Sequence, residues 1–177
     1  RSAMIASLPH FAEHQHSNTL LSMDSLINAL ASEDFSTRRN ALRSLIRRGS
    51  IAVKALGGLL TSRHEHVRWE AAKALGRIGR PEAAESLASA LDDESLDVRW
   101  LAADGLILIG DAALVPLLRM LIKSPDSVRV RGAATHTLHA FLDEEHHKIV
   151  APVLSALELG TPIENVEAVV AGVLGNL

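Results

Sequence analysis

One segment recurs along this chain at a nearly constant interval, and no other feature limits its fold so tightly. Val67-Arg68-Trp69-Glu70-Ala71-Ala72-Lys73-Ala74-Leu75-Gly76-Arg77-Ile78-Gly79 returns at an offset of 31 as Val98-Arg99-Trp100-Leu101-Ala102-Ala103-Asp104-Gly105-Leu106-Ile107-Leu108-Ile109-Gly110. An earlier copy, Thr37 to Gly49, lies upstream at an offset of 30 and keeps Ala41, Leu45 and Gly49 in register. A later copy keeps Ala133 and Ala134 at an offset of 31, then slips by one position to reach Leu138. A last copy runs from Val166 to Leu177. Self-similarity at such a period signals stacked units, none of which buries its apolar surface alone.

Between these copies a second pattern repeats. Leu26, Leu56, Leu87 and Leu118 are each followed, four positions later, by Leu30, Leu60, Leu91 and Ile122. Apolar residues at that spacing mark one face of a helix. In the first pattern Val67, Ala71, Ala74, Leu75 and Ile78 form a single helical stripe. Each unit therefore reads as two helices. Gly79 and Gly110 stand where a helix end favours glycine, and Pro81 suits the first turn of the next helix. Asp97 and Asp126 are placed to cap first helices, and Thr161-Pro162-Ile163-Glu164 has capping-box spacing. No sustained period-2 alternation predicts a strand. The expected fold is all-α: a superhelix, or solenoid, of antiparallel helix pairs.

Composition supports a packed array. Of the whole chain 47% is hydrophobic, only 3% is aromatic, and there is no cysteine. Disulfides, thiolate metal sites and cysteine nucleophiles are thereby excluded. No apolar run approaches the roughly 18 residues of a bilayer span, and no signal peptide opens the chain. A soluble cytoplasmic protein without membrane attachment is expected.

The 67–79 segment resembles the first helix of a HEAT repeat, and is similar to the short bacterial type named after phycobilisome lyases. The resemblance covers about positions 23 to 177 and is strongest in the two central copies. It implies first helices on a convex side, second helices lining a concave side, and use mainly as a protein-binding scaffold. It also implies that Asp97 with Arg99, and Asp126 with Arg129, link adjacent repeats. A HEAT-like iron-binding family carries His-Glu pairs at the position of Trp69-Glu70. Here those pairs are Arg39-Asn40, Trp69-Glu70 and Trp100-Leu101, so the iron reading is rejected. The expected organisation is a poorly patterned segment or cap at 1–22, then an array at 23–177. The array holds about four units with partial units at its ends, the last stopping before its second helix.

Charge is divided along the chain. Positions 36–80 hold 11 Lys and Arg against 2 acids, and positions 81–177 hold 6 against 15. Arg39, Arg43 and Arg47 form an i, i+4, i+8 row, and Lys73 and Arg77 occupy the repeat positions of Arg43 and Arg47. These five predict a basic patch on the outward side of the first helices. It would suit an acidic protein, a nucleic-acid backbone, or the acidic end of another copy; it is equally what an ordinary solvated face looks like.

Arg39, Trp69, Trp100 and Arg131 read as a ladder in equivalent positions, brought close enough by stacking for cation–π contacts between neighbouring repeats, and either packed between repeats or exposed as an aromatic contact for a partner. On the second-helix side Asn28, Gly58, Ser89 and Met120 are equivalent. With Lys54, Glu85 and Arg119 they predict a groove of small residues open to a peptide or helix.

His10-Phe11-Ala12-Glu13-His14 matches a zinc-protease pattern, but that pattern needs a large dedicated fold and a distant third carboxylate ligand, and here it sits beside Pro9 in a weak helical pattern. The pairs His10/His14, His64/His66, His136/His139 and His146/His147 read as solvated or capping residues. Phosphate loops, nucleophile elbows and dinucleotide fingerprints are missing. The sequence thus points to a non-catalytic scaffold for another protein, either by itself or as a segment of a larger chain, with no metal and no cofactor. The alternatives are a phycobilisome lyase-like role in bilin attachment or removal, and nucleic-acid backbone binding.

Overall fold

The computed structural model describes residues 21–143, 146–158 and 162–177. Its helices are α1 (Met23–Leu30), α2 (Phe35–Arg48), α3 (Ser50–Leu59), α4 (Glu65–Ile78), α5 (Ala84–Ser89), α6 (Leu96–Ile109), α7 (Leu114–Lys123), α8 (Val128–Ala140), α9 (His147–Ala156) and α10 (Ile163–Leu174). Single 3-10 turns flank α5 and lead into α7. No strand occurs among the described residues.

The helices form two layers. First helices α2, α4, α6 and α8 pack side by side, and second helices α1, α3, α5 and α7 form the other layer, α3 meeting the turn that leads into α5. The sequence dictates this through repeated buried positions. Leu45, Leu75, Leu106 and Leu138 are fully buried, one per first helix, as are Ala71, Ala102 and Ala134. Leu26, Leu56, Leu87 and Leu118 do the same in the second layer. Burying each leucine contributes ~1.5–3 kcal/mol, and the repeat interval brings every one against its counterpart.

Alanine and glycine set the helix separation. A Cβ on Gly76 would lie 3.0 Å from the Gly105 Cα, and a Cβ on Gly105 would meet Leu87 Cδ1 at 2.9 Å. Helices α4 and α6 therefore touch backbone to backbone. Gly79 ends α4 at φ 59°, ψ 32°, a left-handed conformation that costs other residues more.

Four expectations are corrected by burial and register. First helices α6 and α8 begin at Leu96 and Val128, an offset of 32, and the whole buried set of α8 (Val130, Ala134, Thr137, Leu138) follows the buried Val98, Ala102, Gly105 and Leu106 of α6 at that same offset. Gly132 therefore stands in the register of Trp69 and Trp100, while Arg131 matches Arg99. In α7 the buried residue is Leu121, and Ile122 is 37% exposed. The caps are Ser127 on α8, accepting from the Val130 amide at 3.2 Å, and Ser95 at the N-cap position of α6. Asp97 lies inside α6 and Asp126 precedes the cap. On α2 the cap is Asp34, whose Oδ2 accepts from Ser36 Oγ, Thr37 Oγ1 and the Thr37 amide. Those hydrogen bonds, the Ser36 hydroxyl foremost, hold its carboxyl well below the usual range.

The fourth correction concerns the last helix. The repeat pattern makes α10 a first helix, stacked on α8. It packs instead chiefly against α7 and α9, with Val166 and Val170 buried, and so covers the second-helix layer. Finally, Leu96–Lys123 has the length of a membrane span, and its most apolar 18-residue window has a mean hydropathy of 2.0 and is half buried. The sequence count missed it because Asp104 and Asp111 interrupt it. Here Gly110 divides it into α6 and α7.

Candidate functional site

The repeat register lines up four outward rows across the first-helix layer, reading α2, α4, α6, α8. They are Phe35, Glu65, Leu96, Val128; then Arg39, Trp69, Trp100, Gly132; then Arg43, Lys73, Asp104, His136; then Arg47, Arg77, Leu108, Ala140. Positions four apart on one helix share a face, so these rows make a continuous surface. It changes from basic on α2 and α4 to apolar on α6 and α8.

At the basic end Arg39, Arg43, Arg47 and Arg77 are exposed. Lys73 is half-buried, its Nζ 4.1 Å from the Trp69 ring centre. The cation on Trp69 thus comes from its own helix, one turn on, not from Arg39 across the repeat as the ladder predicted. Glu65 is the exposed acid on the outward face of α2 and α4.

At the apolar end Leu96, Trp100, Ala103, Val128, Gly132 and Ala133 line a cleft of about 310 Å³ between α6 and α8, with Arg99 and Arg129 at its edge. Trp100 is 46% exposed, Leu96 57% and Val128 84%, so Trp100 is not sealed between repeats. Its indole meets the His136 ring edge-on at 4.4 Å, and His136 Nε2 lies 3.8 Å from Asp104. The cleft exists because Gly132 lacks the side chain that its register would carry. A Cβ there would meet nothing within 4 Å. Sequence reasoning missed Leu96, Val128 and Gly132 because it set α8 one position out of register. The available signal was an apolar residue opening α6 and α8, outside either buried stripe.

Beneath this surface, arginines tie the repeats together. Arg68 is buried, donating to Asp93 Oδ2 at 2.7 Å, Asp93 Oδ1 at 3.0 Å, Glu94 Oε1 at 3.0 Å and the Ser62 carbonyl at 2.9 Å. The Asp93 hydrogen bonds raise its already high pKa further. Arg38 and Arg99, in equivalent positions, donate to the carbonyls of Ser32 and Glu33 and of Asp93 and Glu94. Arg129 Nε donates to Asp92 at 3.0 Å. Burial opposes ionisation of Asp92, but hydrogen bonds from Ser127 and Arg129 outweigh it and lower its pKa. The linking acids are therefore Asp92 and Asp93, which replace Asp97 and Asp126 in that expectation.

A second, wider cleft lies between α2 and α4, lined by Phe35, Arg38, Arg63, His64, Trp69 and Glu70 among others. Glu70 is buried, with Arg38 Nε 3.7 Å from Oε1 and no hydrogen-bond partner for Oε2 among the described residues. On the second-helix side Asn28, Lys54, Gly58, Glu85, Ser89 and Arg119 are exposed, but Met120 is only 6% exposed. Arg119 takes the outer position and pairs with Glu85 at 3.0 Å. A charged bridge thus crosses part of the groove predicted there. The rings of His64 and His66 are 5.9 Å apart, and the described residues contain no group of three or more potential metal ligands. The His10–His14 run lies outside the described residues.

The family model of HEAT repeats matches residues 23–107 and 84–175. The chain belongs to the HEAT-repeat family. Among solved structures, a chain in the complex of CpcE and CpcF of phycocyanin lyase from Nostoc sp. PCC7120 is similar to this HEAT array. It is 26% identical with a TM-score of 0.51, over 96% of this chain and 69% of that one. No curated protein gives a significant match. The alignment of HEAT units with layered helix pairs explains why the outward rows are so regular.

Proposed function

We propose that this HEAT array is a non-catalytic binding component that holds another protein on its first-helix layer. One observation carries the reading: an open apolar cleft, floored by Trp100 and Gly132, lies on the same face as five cationic side chains. A half-exposed tryptophan beside aliphatic side chains is the kind of group that dominates binding energy when a partner desolvates it. The array is ordered by its own leucine core, so little further entropy is lost on docking. The similarity to a chain of the CpcE–CpcF complex favours assembly with a second protein.

The test is affinity capture with the wild type and with Trp100→Ala/Leu96→Asp in parallel, followed by reconstitution of any retained protein from purified components. A stoichiometric complex lost in the variant supports the proposal. A complex unaffected by the variant overturns it.

Two other readings have a specific observation behind them. Similarity to a phycocyanin lyase chain favours a lyase-like role with bilin. Adding phycocyanobilin would then shift its absorbance maximum, and an unchanged spectrum removes that role. The exposed Arg39, Arg43, Arg47 and Arg77 favour phosphate-backbone binding. Duplex DNA binding would then weaken steeply with salt; its absence at low salt removes that reading.

A further inference from the structure

We infer that the first-helix layer is a bipartite docking track for a protein segment that has an apolar anchor at one end and clustered carboxylates at the other. The inference deepens the protein-binding proposal and rests on it.

The two ends of the track differ in chemistry. The Gly132 gap beside Trp100 is apolar and open, about 310 Å³, enough for one large aliphatic or aromatic side chain. Arg99 and Arg129, which also line it, are held by the Asp93 and Glu94 carbonyls and by the Asp92 carboxylate, so the surface the gap offers a partner is apolar and the anchor side chain belongs at this end. The opposite end carries Arg39, Arg43 and Arg47 on α2 and Arg77 on α4, all exposed. None of the four has a carboxylate partner among the ion pairs of the described residues. Charge complementarity therefore assigns carboxylates to this end. Trp69, half-buried under Lys73, paves the track between them.

Helix packing sets the spacing. Neighbouring axes lie about 8–10 Å apart, so the α6–α8 cleft is roughly 12–25 Å from the basic rows of α4 and α2. An extended chain advances about 3.3 Å per residue. The carboxylates accordingly fall about four to eight positions from the anchor. A nucleic-acid backbone has no group for the Gly132 gap, and it engages the cations alone.

The experiment is a selection of random displayed dodecapeptides on the intact chain at about 150 mM salt, near physiological ionic strength, with Gly132→Trp as the counter-target. Gly132→Trp fills the gap in the register already used by Trp69 and Trp100, where a Cβ meets no neighbour. The expected result is enrichment of an aliphatic or aromatic residue with Asp or Glu about four to eight positions away on one side of it. One enriched synthetic peptide carrying a fluorophore is then titrated by fluorescence anisotropy against the wild type and each variant, a readout that does not depend on their tryptophans. Its affinity falls about tenfold or more, a step of one decade in Kd, in Gly132→Trp and in Arg39→Glu/Arg43→Glu. No enrichment, enrichment without the acidic cluster, or equal affinity for Gly132→Trp overturns the inference. So does binding of duplex DNA as the sole ligand. A protein partner captured by wild type and Gly132→Trp alike ends the track while leaving the general protein-binding proposal standing.

Discussion

Replacing Arg68 by leucine tests the physics that holds adjacent repeats. Arg68 and Asp93 are each 7% exposed at the side chain, with Nε 2.7 Å from Oδ2. The substitution removes two hydrogen bonds to Asp93, one to Glu94 and one to the Ser62 carbonyl. What remains is a buried Asp93 carboxylate whose compensation is the Ser95 amide at 2.8 Å. Breaking one side of a buried ion pair costs about 3–5 kcal/mol, chiefly because the surviving charge is stranded. For a chain of this size ~1 kcal/mol lowers Tm by about 2–4 °C, so a loss of roughly 6–20 °C is expected by circular dichroism. Adding Asp93→Asn removes the stranded charge and recovers part of the loss, on the order of 1–2 kcal/mol. Two results refute the reasoning: a loss for Arg68→Leu below about 1 kcal/mol, the range of an exposed pair, or no recovery on adding Asp93→Asn.

Other consequences follow from the same structure. Gly105→Ala drives a methyl into Gly76 and Leu87 and destabilises by about 1–3 kcal/mol, whereas Gly172→Ala, with nothing within 4 Å of its Cβ, stabilises by about 0.5–1 kcal/mol; urea midpoints moving in the same direction contradict this. Ser127→Ala removes both the α8 cap and the 2.7 Å hydrogen bond to Asp92, and lowers stability by about 1–2 kcal/mol in the same urea assay. Asp34 and Asp92 have folded pKa values below their unfolded ones. Their stabilisation is therefore complete above about pH 4, the ordinary carboxylate value, and is lost as pH falls through the lower folded values. Melting temperatures that rise on acidification from about pH 5 to 3, a window bracketing that ordinary value, would contradict the assignment. Acrylamide should quench Trp100 in Trp69→Phe more strongly than Trp69 in Trp100→Phe, since Trp69 lies half-covered by Lys73; equal quenching would contradict the exposures.

Much of this was legible beforehand, and the reason is the repeat. A residue that recurs every 30 or 31 positions is tested several times in one chain. Leu26, Leu56, Leu87 and Leu118 therefore identified the second-helix seam by number alone, and Gly79 and Pro81 marked a helix boundary through backbone chemistry. The basic row was legible too, because i, i+4, i+8 spacing needs no tertiary information to share a face. The α8 register was not. Ala133-Ala134 tolerates a shift of one position with little change in pattern, and only the burial of Val130, Ala134 and Leu138 resolves it. Met120 and Arg119 exchanged roles in α7 for a similar reason, since the neighbouring Leu117, Leu118 and Leu121 leave the helix several ways to face inward.

The all-α layered array, its unit length and its charge division follow from the order of the amino acids without any fold in hand. They depend on local periodicity and on apolar area that a single unit cannot bury. Three features came only from the packed molecule: α10 covers α7, Arg68 reaches Asp93, and a cleft opens at Gly132. Each is set by which surfaces meet at close range, where a one-position change of register or a missing Cβ alters the contact without disturbing the pattern.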